Sequence, residues 1–287
     1  MARAPKRPNR FLTVGSILSL VWLGGIALLA FIPNDWLPFM READQRVRIG
    51  RNYAYGPGVD FWMGSDRLGR DVFARNIYGG RISLSVAMFS IAVGLTLGGI
   101  LGLMAGYIKG KVDTVINVLL DVLLSFPALI LAILVVGRLD VLEINRFWSV
   151  MMVLSLLSIA PIARIVRAQT LSLSERDFVL AARSLGASKW RILAKEILPN
   201  LVPAMTTVAF TGVAVLMVAE GGLAFLGYSV ESPTSSWGKL ISENRERIDT
   251  AWWATIFPSL MLFATVLAFN IIGDRFARRF DIREAAL

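Results

Sequence analysis

Apolar residues in this chain are gathered into long blocks that charged residues rarely interrupt. Six such runs are separated by more polar segments and cover residues 11–32, 82–108, 112–136, 147–163, 201–219 and 251–273. Because an α-helix rises about 1.5 Å per residue, about 20 apolar residues are enough to cross the hydrocarbon core of a bilayer. The pattern therefore predicts an all-α integral membrane protein with six transmembrane helices.

Two of these runs depart from the simple pattern. The run 147–163 is short and ends near Pro161. The run 112–136 carries Asp113 and Asp121, which must be sheltered from lipid by neighbouring protein.

The first run is typical of a retained N-terminal anchor. It follows basic residues as a signal peptide does (Arg3, Lys6, Arg7 and Arg10), but it is too long for a signal-peptide core and lacks an Ala-x-Ala cleavage site. The segment that follows begins with turn-forming residues: Pro33, Pro38, Gly56, Pro57 and Gly58. Its second part, Ser65–Arg81, mixes charged and apolar residues and predicts a helix at the membrane interface. We therefore divide the chain into residues 1–81, the anchor with this segment, and a membrane core at 82–287.

Composition removes several classes of chemistry. The chain of 287 residues is 55% hydrophobic and only 18% charged, and it contains no cysteine and no histidine. Thiol nucleophiles, histidine triads, disulfides and the usual zinc sites are therefore excluded. The net charge is +9. Its basic residues lie between apolar blocks, which fits loops facing anionic lipid better than a nucleic-acid surface.

Small residues form a ridge on the second apolar run. Every fourth residue is a glycine: Gly94, Gly98, Gly102 and Gly106. Such a ridge lets another backbone approach closely. It predicts either packing between helices of this chain, or a seam with a second subunit or a moving contact.

A polar ridge runs along the third apolar run and consists of Asp113, Asn117, Asp121 and Ser125. Asp121 falls near mid-membrane, where a lipid-facing carboxylate would be too costly. It either lines a water-filled passage or is paired inside the bundle. Pro127 predicts a kink just beyond it.

The most informative polar stretch is residues 164–200, which predicts a helix–turn–helix. Ser174 and Asp177 match a capping box, residues 178–185 suit a helix, and Gly186 suits its left-handed end. A second short helix is predicted from the cap Ser188 through 189–197, ending before Pro199. Small Ala181 and Ala182 beside Phe178 and Leu185 predict a compact knob that could seat in a groove of another protein. The alternative is an ordinary cytoplasmic hairpin.

This stretch resembles the EAA loop in permease subunits of binding-protein-dependent ABC importers. The resemblance lies in Ala181-Ala182-x3-Gly186-x11-Leu198-Pro199. Two positions depart from the family pattern, because Leu180 replaces the usual Glu and Glu196 the usual Ile. Further blocks resemble the C-type subunit of dipeptide/oligopeptide permeases: Gly64-Ser65-Asp66-x-Leu68-Gly69-Arg70-Asp71-Val72, Asp121-Val122-Leu123 to Pro127, Phe225-Leu226-Gly227 with Pro233 and Ser236-Trp237-Gly238, and Asn270-x2-Gly273-Asp274.

The resemblance implies a type I ABC importer permease fold and a shared assembly. Its expected partners are a B-type permease subunit, two ATP-binding subunits that carry ATP and Mg, an extracellular substrate-binding protein and membrane lipid, with no nucleic acid. The chain itself is expected to bind no cofactor or metal and to be no enzyme. It also has no Gly-x4-Gly-Lys-Ser/Thr phosphate-binding sequence.

The resemblance also gives a location and a set of coupling residues. It implies a bacterial inner-membrane protein with both termini and the 164–200 loop in the cytoplasm. The residues expected to contact the ATPases are Phe178, Ala181, Ala182, Arg183, Leu185, Gly186, Leu198 and Pro199. Peptides are the implied substrates, with nickel or another small solute as the alternative.

Asn117, Asp121 and Glu220 are the candidate residues of the translocation pathway. Glu220 ends the fifth apolar run, so it either faces the passage or lies at headgroup level. Trp237, Trp252 and Trp253 are typical of an interfacial aromatic belt. A secondary transporter or ion channel would instead depend on Asp113, Asp121 and Glu220, and would work without ATPase partners.

Overall fold

The structure is a computed structural model that describes residues 13–32, 55–232 and 234–284, with side chains up to residue 279. The predictions that rest on the basic N-terminal residues Arg3, Lys6, Arg7 and Arg10, on Pro33 and Pro38, and on Pro233 lie outside the described residues.

Within these ranges the chain is helical, apart from one antiparallel bridge between Ser65 and Asp71. The α-helices are α1 (Val14–Phe31), α2 (Val72–Val93), α3 (Gly99–Ile108), α4 (Gly110–Leu124), α5 (Ala128–Val141), α6 (Arg146–Leu173), α7 (Asp177–Ser184), α8 (Lys189–Ile192), α9 (Leu198–Phe225), α10 (Trp237–Asn244) and α11 (Trp253–Glu284). Two π-helical turns join pairs of these helices into longer continuous helical rods. Gly94–Gly98 joins α2 to α3, and Leu193–Ile197 joins α8 to α9.

The described helices include five rods long and apolar enough to cross a membrane: Val14–Phe31, Val72–Ile108, Arg146–Leu173, Lys189–Phe225 and Trp253–Arg279. The pair α4 and α5 makes a sixth candidate span, bent by 84°. The bend lies at Pro127, which precedes the first residue of α5, so the predicted kink is confirmed. The all-α membrane architecture is likewise confirmed.

Helix α6 packs along α2 and α3, while α11 packs along α9 and α1. The glycine ridge lies in the first of these contacts. A Cβ added at Gly98 would lie 2.6 Å from the carbonyl oxygen of Ile159, and one at Gly106 would lie 2.8 Å from that of Arg167. Only glycine permits this backbone approach, so the ridge packs against α6 of the same chain.

The prediction of a separate interfacial helix over Ser65–Arg81 is wrong. Residues up to Asp71 form a turn, and the Asp71 side chain caps α2 by accepting from the Phe73 backbone N–H. Helix α2 then runs unbroken through the boundary predicted at residue 81. The polar residues of its first turns are buried against partners from other segments, and so they do not lie at a membrane surface.

Two prolines were wrongly predicted to end helices. Pro161 lies inside α6, and Pro199 lies in the first turn of α9. A proline removes one backbone hydrogen bond and crowds the carbonyl four residues earlier. For Pro199, the carbonyl four residues earlier lies in the π-helical turn Leu193–Ile197, and this wider turn accommodates the proline ring. The predicted Glu220 end is also wrong, because α9 continues to Phe225.

Candidate functional site

The short helix α7 presents two different faces. Val179 is fully buried and Ala182 packs against the helical bundle. Phe178, Ala181 and Leu185 face outward at helical spacing, and Leu185 is 88% exposed. Trp190 of α8 is exposed beside them. We call Phe178, Ala181, Leu185 and Trp190 the coupling surface, since exposed apolar groups in one patch mark an interaction site.

The position of α7 is fixed at both ends. Gly186 ends the helix with φ of +79°, and the Ala187 N–H donates to the Ala182 carbonyl at 3.1 Å, as in a Schellman cap. The Arg183 guanidinium lies 5.9 Å from the ring centroid of Tyr107, at the end of α3. Thus α7 is attached to the bundle on one side and open on the other.

The N-terminal cap of α7 differs from the prediction. Ser174 donates to the Leu171 carbonyl at 2.8 Å, and the helix begins after Arg176 with no side-chain cap. Ser174 is held at the end of α6 and is therefore not available for a capping box. At α8, Ser188 does act as the predicted cap, accepting from the Arg191 N–H.

Leu198 and Pro199, the other end of the predicted loop, lie in the first turn of α9. Both are exposed, and Leu198 lies beyond the buried Ile197. They are separated in sequence from α7 by α8 and the π-helical turn.

Two ion pairs join α4 to α6. Arg167 donates two hydrogen bonds to the Asp113 carboxylate, from Nε at 2.6 Å and from Nη2 at 2.7 Å. Arg164 bonds the Asp121 carboxylate at 2.5 Å. Helix α6 continues past both arginines to Leu173, so the start of the polar segment predicted at residue 164 forms the last turns of a candidate spanning helix.

Asp121 remains open on the surface of this chain. Its side chain is 60% exposed and that of Arg164 is 51% exposed, while Asn117 donates at 2.5 Å to the Asp113 carboxylate. Apolar residues beside them on α4 are exposed as well: Val115, Val118, Leu119 and Val122. An ion pair therefore lies in the middle of an apolar helix face.

Glu220 does not reach any surface. It is 1% exposed, and its Oε1 accepts hydrogen bonds from Ser229 at 2.9 Å and Ser236 at 2.6 Å. The expectation that it faces a passage is corrected, because α10 and the segment before it fold over the carboxylate. Gly238 makes this possible, since a Cβ there would lie 2.5 Å from the Cα of Gly221.

The end of the bundle that carries α10 is built on a second buried polar cluster. Arg75 is fully buried and donates to Asp66 at 2.6 Å and to Glu243 at 3.2 Å, while Arg70 donates to Asp66 at 2.7 Å. Burial raises the pKa of the Asp66 carboxyl, but the Arg75 and Arg70 guanidinium groups outweigh it and hold that pKa below 3.8. Sequence reasoning quoted Asp66 and Arg70 only as parts of a motif.

Tryptophans fix the same end and correct the predicted aromatic belt. Trp237 is fully buried and its indole N–H donates to the Asn76 carbonyl at 2.9 Å. Trp253 donates to the Ser65 carbonyl at 3.0 Å. Of the three tryptophans predicted to form the belt, only Trp252 is exposed.

Comparison with known families decides the identity. Residues 98–284 match the family of binding-protein-dependent transport system inner membrane components. The chain belongs to this family. It is a permease component of a binding-protein-dependent ABC importer, and the ATPase activity of such importers lies in separate subunits.

Curated relatives of this permease carry peptide-transport names. It is 32% identical over 259 residues to the dipeptide transport system permease protein DppC of Alkalihalophilus pseudofirmus, covering 90% of this chain and 83% of the relative. It is 40% identical over 219 residues to the glutathione transport system permease protein GsiD of Pectobacterium atrosepticum, covering 76% and 71%. These relatives place the permease in the peptide ABC importer family.

Solved structures support the fold. The permease matches a chain of the inward-facing MetNI methionine ABC transporter with a TM-score of 0.62 at 18% identity, covering 72% of this chain and 97% of that one. A chain of an amino acid ABC transporter matches with a TM-score of 0.56 at 19% identity, covering 72% and 94%. The type I importer permease fold is thereby confirmed.

Proposed function

We propose that this permease forms half of the translocation pathway for di- or oligopeptides, delivered by an extracellular substrate-binding protein. A B-type permease completes the pathway, and two ATP-binding subunits that carry ATP and Mg dock beneath. The relatives named for dipeptide and glutathione transport support the peptide class. The observation that carries the ATP-driven mechanism is the exposed coupling surface on a helix anchored to the bundle.

The coupling surface explains how force enters the membrane. Phe178, Ala181 and Leu185 occupy a groove of an ATPase, while Val179 on the opposite face holds α7 to the bundle. When the ATPases close, α7 moves as a rigid body because its buried face and its Gly186 cap tie it to neighbouring helices. The departure Leu180 is exposed, so this contact relies on apolar packing where the family pattern has a carboxylate.

The two ion pairs carry the movement onward. Helix α6 leads directly into α7, and Arg164 and Arg167 link α6 to Asp121 and Asp113 on α4. A tilt of α6 therefore pulls α4 with it. The bend at Pro127 lets α4 move relative to α5.

The exposed Asp121–Arg164 pair supports an arrangement in which this side of the bundle faces away from lipid. Placing a charged side chain in the hydrocarbon core costs about 2.5–3.5 kcal/mol per residue on insertion scales. We infer that this face of α4, with Asn117, lies against the partner permease and the water-filled passage. Both termini and α7 then lie in the cytoplasm of a bacterial cell, and α10 lies outside.

Substitution of Ala181 tests the coupling contact, because this side chain is exposed. Ala181→Asp places a charge in the proposed groove, and we expect ATPase co-purification and uptake to fall at least tenfold. Ala182→Asp is less informative, since Ala182 packs on the bundle.

Gly186→Val provides a second variant, with a matched control. Gly186 and Gly227 both have positive φ, +79° and +84°, and open space around the Cβ position, but they lie at opposite ends of the bundle. Both variants carry similar strain, of about 1–2 kcal/mol or more. Uptake should be lost in Gly186→Val and retained in Gly227→Val. Normal uptake in both Ala181→Asp and Gly186→Val would contradict the proposal.

The substrate class is tested with the cognate substrate-binding protein. Reconstituted vesicles should accumulate a labelled dipeptide only with that protein and ATP, and unlabelled peptides should compete. Competition by nickel or another small solute, with no effect of peptides, would replace the peptide proposal and leave the coupling mechanism intact.

A further inference from the structure

A long apolar groove runs between α1 and α11, with its floor on α2. It has a volume of about 630 Å³ and almost no polar lining. Its walls include Gly15, Trp22, Gly25, Ile77, Leu267 and Ile271. The three helices belong to predicted membrane spans, so the groove opens towards lipid.

The groove is a formed feature of the helix contact. The indole N–H of Trp22 donates to Thr265 Oγ1 at 3.0 Å, which joins α1 to α11 and leaves the apolar face of the indole on the groove. Among the described residues, no side chain or backbone atom from outside the adjoining turns of α1 lies within 4 Å of the position where a Cβ would lie at Gly15 or Gly25. The space beside these glycines is therefore open in the part of the chain that the structure describes.

The length and lining of the groove suit a hydrocarbon chain. From Gly15 to Leu29 the groove follows α1 for about 21 Å, at about 1.5 Å per helical residue. An extended hydrocarbon chain matches both this length and the apolar lining.

Charge at one end of the groove specifies the kind of lipid. On α11, Arg275 and Arg278 follow the groove residue Ile271 by four and seven positions, which places them on the same helix face. Arg275 is partly exposed and Arg278 is exposed. Guanidinium groups at the end of an acyl groove are placed to bind the phosphate of a headgroup.

We propose that the groove between α1 and α11 is a binding site for an anionic phospholipid, with an acyl chain along Gly15 and Gly25 and its headgroup at Arg275 and Arg278. The lipid fills the space between the N-terminal helix and the core. Assignment to the cytoplasmic leaflet rests on the proposed orientation, but the site itself does not.

Lipid retention by the purified importer complex tests this site. The complex is exchanged into micelles that contain equal amounts of phosphatidylglycerol and phosphatidylcholine, and the bound lipid is measured by native mass spectrometry. Gly25→Leu fills the groove. Gly24→Leu is the matched control, because its Cβ position is equally open but lies outside the groove.

Wild type and Gly24→Leu should retain phosphatidylglycerol, and Gly25→Leu should lose most of it. The double variant Arg275→Gln/Arg278→Gln should still bind lipid, with its preference for phosphatidylglycerol reduced about fivefold per arginine removed. Equal retention by Gly24→Leu and Gly25→Leu would overturn the proposal. Loss of a partner subunit from the Gly25→Leu complex would also overturn it, because the groove would then be a protein-binding site. If Gly25→Leu does not fold, the arginine variant is sufficient as a test: an unchanged preference for phosphatidylglycerol in that variant overturns the proposal.

Discussion

At the scale of single residues, ion pairs link particular helices to one another. Arg167 and Arg164 carry the contact between α4 and α6, and Arg75 carries the contact between the start of α2 and α10. The sequence analysis identified the carboxylates Asp113 and Asp121 but named no basic partner for either of them. Their pairing depends on the α6 register relative to α4, about 50 residues apart in sequence, which no local pattern reveals.

The Asp113–Arg167 pair should be worth more than the Asp121–Arg164 pair. Asp113 accepts two charge-assisted hydrogen bonds in a partly buried position, whereas Asp121 is largely exposed in the isolated chain. We expect Asp113→Asn to destabilise the isolated permease by about 1.5–3 kcal/mol and Asp121→Asn by about 0–1 kcal/mol. Thermal unfolding of the two variants in detergent checks this order. A larger loss for Asp121→Asn would contradict the geometry.

Asp66 should make the stability of the end of the bundle that carries α10 depend on pH in the acid range. Its pKa in the folded protein is held below 3.8 by Arg75 and Arg70. The resulting stabilisation is present above pH 3.8 and is lost as the pH falls through the lower folded value. Wild-type unfolding temperature should therefore drop in this acid range.

The variant Asp66→Asn removes both the titration and the partner of a buried arginine. It should be less stable by about 3–5 kcal/mol at neutral pH, because Arg75 loses a buried counter-charge. Its stability should also vary less between pH 5 and pH 3 than that of wild type. The same acid dependence in wild type and variant would assign the titration to another group.

At the scale of elements, the apolar runs predicted nearly all of the spanning helices, while their ends were misplaced. Helix ends at Pro161 and Pro199 were predicted from a rule that holds for isolated helices. In the structure, long-range packing along α2 and α3 and a π-helical turn override it. The start of α2 was missed for a related reason, since part of the environment of Arg75 and Asn76 comes from α10, far along the chain. Glu243 accepts from Arg75, and the Trp237 indole donates to the Asn76 carbonyl.

The glycine ridge gives a prediction at this scale. A methyl group at Gly98 would lie 2.6 Å from the carbonyl oxygen of Ile159, a backbone atom that cannot rotate away. We expect Gly98→Ala to separate α3 from α6 and to cost about 1–3 kcal/mol in stability, as overpacking does. Gly222→Ala is the control, because its Cβ would make an ordinary contact at 3.8 Å with a Leu129 methyl group. Equal unfolding temperatures for both variants would show that the helices do not pack this way.

At the scale of the whole molecule, a membrane bundle carries the short helix α7, which has an exposed apolar face through which partner subunits are proposed to act. The sequence predicted the knob of α7 and its Gly186 end, and the family match supports its place in an importer. The sequence could not show which face of α7 is free. That depends on other helices, which bury Val179 and against which the partly exposed Ala182 packs.

The most direct measurement is a disulfide crosslink from Leu185→Cys, the most exposed apolar side chain of the coupling surface. The permease has no native cysteine, so the new thiol is unique in this chain. In the assembled importer it should crosslink to single cysteines in the groove of the ATP-binding subunit, with a yield that changes when ATP is bound. A matched Trp252→Cys variant, exposed at the other end of the bundle, should give no such product. Absence of a crosslink from Leu185→Cys in an importer active in uptake, or an equal yield from Trp252→Cys, would contradict α7 as the coupling helix.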